Sequence, residues 1–558
     1  MPQIENTTNK KLNIWMPFLL ALMLSVGMYV GTKLAPKQVQ QEVVFQTDEG
    51  DLIEYKKVGN GRIEELIRFI EARYVDEVDS EELIEKAISK ILEELDPHSN
   101  YIPAEQLARV NDELEGNFDG VGIEFIILDD TIVVVAPLSG GPAEEVGIMA
   151  GDKIVEINDT TAVGSEEVNV RDLVNKLKGI KGTEVKIGVL RGKEKSVRSF
   201  DVRRAEIPIY SVDVGYMIDA KTGFIKVNRF SATTYREFMK EVERLKEKGM
   251  QDLVIDLRQN PGGYLQEATK MLSQMFPDKG KLLVYTEGRT VRRNDYQTSG
   301  LNHFPIDKVA VLIDEGSASA SEIVAGAVQD WDRGVIVGRR SFGKGLVQEQ
   351  YDLKDGSALR LTVARYYTPS NRLIQKSYED KFAYDHDVLA RFEGGELVNK
   401  DSIHQTDTTR FYTKLENRVV YGGGGITPDI FIPLDTSFMD KDYLKMSEIA
   451  PQFIYRYVEN HDEELDEISL RELRDEFVVD QAMLTAFYEY AAENNVEIAP
   501  SSLQDIEYNV KLLLKSRLGK HLFKEKGFYS IWNDADEVVK AAVRALKKEN
   551  PLADSEKN

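Results

Sequence analysis

The chain has 558 residues, 42% of them hydrophobic and 30% charged, with no cysteine and a formal net charge of −24. That length exceeds what one core holds and calls for several domains, while the composition is that of a globular protein. The absence of cysteine excludes disulfides and Cys-ligated zinc, and the acidic surplus argues against a nucleic-acid partner, whose phosphates it repels.

The N-terminal stretch from Ile14 to Gly31 carries no charge and follows Lys10 and Lys11. Its length is near the lower limit for crossing about 30 Å of hydrocarbon, and basic residues ahead of an acidic body keep the short N-terminus inside. The chain therefore reads as a cytoplasmic N-terminus at 1–12, a transmembrane anchor at 13–32 and a Gln/Glu-rich linker at 33–58. No small-x-small cleavage site follows, which favours an uncleaved anchor over a signal peptide. The expected location is the inner (cytoplasmic) membrane, single-pass, with the rest in the periplasm or outside the cell.

At 59–115 the runs IEELIRFIEARYV and EELIEKAISKILEEL have helical spacing and predict an N-terminal helical subdomain. From 116 to 205 the runs IEFII, TIVVVAP, KIVEIN and EVKIGVLR read as strands, and VRDLVNKLKG reads as a helix. PAEEVGIMAGDKIVEIND puts Gly147, Gly151 and Asp152 where a helix gives way to a strand. This order resembles a PDZ domain, with Gly120-Val121-Gly122-Ile123 at its carboxylate-binding loop. Glycines let N–H groups converge on a terminal carboxylate, and a free strand edge pairs with an extended peptide. A purely structural β-domain is the competing reading.

Residues 206–434 alternate strand and helix patterns, as in GFIKVNRF, TYREFMKEVERLKEKG and DLVIDLR, and predict an α/β domain with a partly parallel sheet. Within it, 376–421 is a polar insertion with no strong period. Residues 435–558 return to helical spacing, as in DEVVKAAVRALKK, and form a C-terminal helical extension without a chemical motif. The expected fold class is multidomain α/β.

Familiar catalytic motifs are missing: there is no HExxH, no GxSxG, and the six histidines are scattered. GRRSFGK at 338–344 matches a P-loop until Gly345, which replaces the magnesium-binding Ser or Thr, and LVQEQYDL after it reads as a strand rather than a helix. Two turns remain, Asp256–Gly263 and Gly316–Glu322, each following a strand. Carboxyl ends of strands are where α/β sheets collect ligands, and small residues let backbone N–H groups approach a substrate. Alone, Ser319-Ala320-Ser321-Glu322 is a capping box before a helix, and an N-cap is the simpler reading of that serine.

The combination of motifs says more. GSASASEIVAGAVQD followed by GRRSFGKGLVQ resembles the carboxyl-terminal processing peptidases, or tail-specific proteases. The resemblance runs from about 60 to 434 through LDPHSNYI, the PDZ segment, DLRQNPGG, YYTPS and GITPD. It implies a crotonase- or Clp-like α/β serine protease core in which Ser319 is the nucleophile, Lys344 the general base and Gln348 the residue orienting that lysine. Asp330 takes a supporting role, and the oxyanion hole is the N–H of Ala320 with that of Gly262 or Gly263. Tail binding falls to Gly120, Val121, Gly122 and Ile123. Lys178 stands where members often carry an arginine coupling tail binding to activation, and Asn371 replaces a common glycine after YYTPS. No metal or organic cofactor is implied. The implied partners are proteins with exposed C-terminal tails, the membrane, and a second copy or an adaptor protein.

A Ser/Lys dyad makes physical sense. A lysine accepts a proton only when neutral, and lowering its pKa from about 10.4 to around 7 takes roughly 4 kcal/mol. Desolvation supplies such amounts, with Phe342, Leu346 and Val347 as expected walls. Strand alternation puts Gln348 on the side of Lys344. Two rivals are a catalytically dead tail-binding adaptor, opposed by the intact Ser319, Lys344 and Gln348, and a crotonase-like acyl-CoA enzyme, which has no use for an anchor or a PDZ domain.

Overall fold

The computed structural model describes residues 45–46, 52–53 and 61–552, apart from 129, 139, 164–169, 193, 404–408, 462–464, 466 and 497–499. The expected anchor at 13–32 lies outside the described residues. Among those residues no helix is long and apolar enough to cross a membrane. The chain divides into two units, 1–84 and 85–558. In the first, the helix Arg62–Arg73 leaves Ile63, Leu66 and Phe69 of its apolar stripe exposed.

The expected helical subdomain at 59–115 is divided between the two units, and its part beyond 84 is not self-contained. Asn100–Ile102 of the LDPHSNYI motif forms a strand antiparallel to Ala358–Tyr367, with Asn100 opposite Arg360. This strand and the helix Ala104–Glu115 belong to the α/β body. Three extended residues are too few to carry a period, so the helical spacing on either side hides them.

The PDZ region folds around Ile132, Ile154, Ile157, Ile187 and Val189 of its strands and Leu173 of the helix Val170–Leu177. Its sheet runs Arg198–Arg203, Glu184–Leu190, Lys153–Ile157, Thr131–Pro137, Ile123–Leu128, so the last strand presents a free edge. Asp152 is fully buried and receives Arg191 through two hydrogen bonds of 2.7 Å, with a third donated by Met149 N at 2.9 Å. A buried carboxylate needs such partners, which explains an acidic residue in the tight PAEEVGIMAGDKI turn.

The α/β domain centres on a six-stranded sheet in the order Val212–Met217, Thr222–Val227, Asp252–Asp256, Val309–Ile313, Val335–Gly338, Ile430–Phe431. The first pair is antiparallel and the rest parallel. One face is covered by the helices Thr234–Glu247, Leu265–Met275 and Ala320–Asp330, through Phe238, Met271 and Val324 among others. A second sheet carries Leu346–Asp352 against Ala358–Tyr367.

The other face of the main sheet corrects the expected boundary at 435. The helix Glu537–Leu546 lays Val538, Ala541, Ala542 and Ala545 on Val254, Ala310, Leu312 and Val337. A parallel sheet must be covered on both faces, and here the last helix of the extension supplies the second cover. The amphipathic period of DEVVKAAVRALKK is visible in sequence, but the surface it matches is not. Arg258 reinforces the junction by an ion pair to Asp536 at 2.6 Å. The remainder of the extension has its own core around Met446, Leu484, Phe487 and Leu514. Its Tyr455 also packs on Leu128 and Val133 of the PDZ sheet.

Because Ala542 is fully buried against that sheet, Ala542→Asp is expected to destabilise the α/β core itself, by about 3 kcal/mol or more. Urea unfolding followed by intrinsic fluorescence checks this. An unmoved transition of the core would mean that the extension is an independent domain.

Candidate active site

The strands Asp252–Asp256 and Val309–Ile313 lie side by side and parallel, so the two turns that follow them emerge together. Asn260, fully buried, locks one to the other: its carbonyl accepts from Ala318 N and Ser321 Oγ, each at 3.0 Å. Gly262 and Gly263 have φ of +101° and +139°, backbone that L side chains rarely adopt. A Cβ on Gly262 would lie 2.8 Å from the Cβ of Ser319, so glycine is what lets the turns touch.

Ser319 is the N-cap of the fully buried helix Ala320–Asp330 and sits at φ 53°, ψ −113°, outside the ordinary regions for a side-chain-bearing residue. Such backbone costs on the order of 1–3 kcal/mol and needs outside support. The support is Glu322. Its buried carboxylate accepts from Ser319 N at 2.9 Å and Lys344 N at 2.9 Å on one oxygen, and from Ser341 Oγ at 2.5 Å and Gly343 N at 2.7 Å on the other. Tyr366, also fully buried, places its hydroxyl 3.1 Å from the carbonyl oxygen of Ser319 and 2.5 Å from that of Lys344.

Serine and lysine thus share one scaffold and line one cleft of about 600 Å3, together with Gly262, Gly263 and Gln348. No hydrogen bond joins their side chains. Burial first, then the neighbouring Arg360 guanidinium, pushes the Lys344 ammonium down to about 8. Burial pushes Glu322 up to about 7 against the hydrogen bonds donated to it. His98, hydrogen-bonded to the Tyr384 hydroxyl at 2.7 Å, is pushed down to about 4 by burial and then by Lys344, so its imidazole is neutral near pH 7.

This geometry accompanies a family match. Residues 221–386 match the model of peptidase family S41, 120–202 that of a PDZ domain and 21–106 that of the activating protease CtpB N-terminal domain. Residues 442–524 match a family of unknown function. The carboxy-terminal processing protease CtpB of Bacillus subtilis is 34% identical over 354 residues, which cover 63% of this chain and 72% of that protein. The chain belongs to peptidase family S41. "Probable CtpA-like serine protease" of Staphylococcus aureus is 35% identical over 315 residues, 56% of this chain and 62% of that relative's length. The solved photosystem II D1 C-terminal processing protease aligns over 56% of this chain and 90% of its own at 29% identity, with a TM-score of 0.32. As an S41 member, the protein is a serine-type endopeptidase with a PDZ domain.

Against that family frame, the expected site residues divide. Ser319, Lys344, Gln348, Gly262 and Gly263 meet at the cleft. Gln348 does not hold the lysine: its Nε2 donates to Thr362 Oγ1 at 3.3 Å, and Thr362 donates onward to Asp96 at 3.1 Å. Lys344 precedes the strand Leu346–Asp352, and the register shifts between Val347 and Gln348, so simple alternation does not align the two. Of the two candidate glycine donors, Gly262 N–H is already committed to Asn260 Oδ1 at 2.8 Å, while the N–H groups of Gly263 and Ala320 donate to no acceptor among the described residues.

Asp330 does not reach the cleft. It ends the 11-residue helix about 15 Å from its start, where its carboxylate pairs with buried Arg372 and accepts from Ser370 N at 2.8 Å. It anchors the YYTPS turn instead. In the PDZ domain, Gly120 to Ile123 lead into the free-edged strand Ile123–Leu128, with Val121 buried and Gly122 at φ +74°. Lys178 is exposed, its amine 4.9 Å from the Phe118 ring centroid, and its charge only partly offsets the burial that raises the carboxyl of Asp112 on the helix bordering the cleft.

Sequence reasoning passed over Glu322, Tyr366, His98, Tyr384 and Arg360. Glu322 was visible only as the capping-box partner of Ser319. The other four lie far from either turn in sequence, and Tyr384 belongs to the polar insertion. In Glu322→Gln an amide NH2 meets N–H donors whichever way it is turned. The variant is expected to lose ~2–4 kcal/mol of stability from unsatisfied buried donors and about a hundredfold in kcat with KM little changed. Thermal melts and steady-state kinetics check both; an unaltered kcat would remove Glu322 from the catalytic scaffold.

Proposed function

We propose that Ser319 and Lys344 form the catalytic dyad of a membrane-anchored endopeptidase that takes proteins by their C-terminal tails. The observation that carries this reading is the pairing of a strained serine at a helix N-terminus with a lysine lowered to about 8, on one scaffold and in one cleft. Neutral Lys344 takes the Oγ proton as Ser319 attacks the scissile carbonyl, and the resulting ammonium protonates the departing amine. An acyl-enzyme is left on Ser319. Lys344 then takes a proton from the hydrolytic water. The tetrahedral oxyanion is held by the uncommitted N–H groups of Ala320 and Gly263, at the positive end of the buried helix. Substrate brings the two side chains into contact, a tightening usual between a free site and its Michaelis complex.

Tail recognition falls to the PDZ domain, where the Gly120–Ile123 loop receives the terminal carboxylate and the free edge of Ile123–Leu128 pairs with the peptide. Residues 13–32 anchor the chain with the protease outside the cytoplasm, a reading supported by the uncharged run after Lys10 and Lys11. Deleting 1–32 is expected to move the protein from the membrane pellet to the supernatant on fractionation. Retention in the pellet would count against the anchor.

For the dyad, an unfolded protein with an apolar tail is expected to be cut by the parent and not measurably by Ser319→Ala or Lys344→Ala. Because the base is the neutral amine, kcat/KM rises with pH through about 8 and falls away below it. Cleavage by either variant overturns the dyad; a profile flat from pH 6 to 9 overturns Lys344 as the titrating base.

A further inference from the structure

The cleft beside Ser319 is charged in one direction. Arg109, Arg229, Lys344 and Arg360 line it, against a single carboxylate, Glu113. Glu113 is spent on Arg229, 3.1 Å away. Among the described residues, Arg109 and Arg360 have no acidic partner within 4 Å. In a chain with a net charge of −24, two arginines facing a catalytic cleft without a carboxylate are out of keeping with the surrounding surface.

Arg360 is also held in place. It stands on the strand Ala358–Tyr367 opposite Asn100, and its Nη2 donates to Gln350 Oε1 at 3.2 Å. Gln350 is oriented in turn by donating to Asn111 Oδ1 at 3.3 Å, from the helix Ala104–Glu115. One edge of the guanidinium is fixed by a neutral amide, and the rest of its fork stays available. Half-buried beside Lys344, this cation repels the ammonium form of the base. A like-charged pair at a cleft wall is unfavourable until an anion enters.

We infer that Arg360, with Arg109, forms a subsite for a substrate carboxylate close to the scissile bond, and so makes this protease selective for acidic sequence at the cut. The inference deepens the protease reading above and rests on it. The carboxylate is either an Asp or Glu side chain or the terminal carboxylate of a short product tail. A guanidinium fork receives both by paired N–H···O bonds, which a lysine does not reproduce.

The test uses the full chain and one peptide series with Glu, Gln or Lys at each of three positions on either side of the cut, in free-acid and amidated forms. At one position Glu is expected to exceed Gln about tenfold or more in kcat/KM, the size of a charge-assisted hydrogen bond. Arg360→Gln removes that preference and moves the acid limb of the pH profile upward, a shift a merely structural role would not cause. Arg360→Glu turns the preference towards Lys at the same position. If amidation rather than side-chain identity abolishes the Arg360-dependent preference, the carboxylate is terminal. A loss on amidation shared equally by Arg360→Gln belongs to the PDZ groove and overturns the subsite. So does equal cleavage of Glu and Gln peptides at every position. Anisotropy of the same labelled peptides on Ser319→Ala protein reads the subsite without turnover. Glu-selective binding lost with Arg360 sustains it even if the parent cuts nothing, an outcome that sinks the protease reading alone.

Discussion

The active site hangs on one buried carboxylate. Glu322 joins the backbone of Ser319 to that of Gly343 and Lys344, two segments on different strand ends. Each donor it accepts is an N–H or hydroxyl that would otherwise be orphaned in the core, so the scaffold is held by the cost of leaving any of them unmade. The strained conformation of Ser319 is affordable only inside such a frame, and Tyr366 closes the frame from the other side.

The same burial sets the chemistry. Removal from water brings the Lys344 ammonium down to about 8, and Arg360 carries it further in that direction. His98, in the LDPHSNYI motif, is kept neutral by the same surroundings and is engaged with Tyr384, which places it in the wall of the site and away from the cleft. In the mechanism proposed above, the second cation serves twice: it favours the neutral amine of the base and sets a preference in what the cleft admits.

Around this site the domains are joined through shared faces. The main sheet is covered on one side by the serine helix and its neighbours and on the other by the last helix of the C-terminal extension. That extension also buries Tyr455 against the outer face of the PDZ sheet, while the PDZ edge strand keeps its free backbone groups. One helical module therefore braces both the main sheet of the protease core and the PDZ domain.

By itself the sequence determined the local elements and the residues with chemical character. The alternating PDZ strands, the two glycine-flanked turns, Ser319 before its helix and Lys344 in its loop are all set by short-range spacing, and the motif combination named their family. Only the tertiary structure decided which of these meet. Gln348 turned to Thr362 because a bulge shifts its strand, and Asp330 fell at the far end of a rigid helix. Gly263 rather than Gly262 kept a free N–H because Asn260 folds back on its neighbour. Glu322, Tyr366, Arg360 and the sheet-covering helix 537–546 act across long sequence separations. Pairing at that distance depends on packing and burial, for which no local period carries a signal.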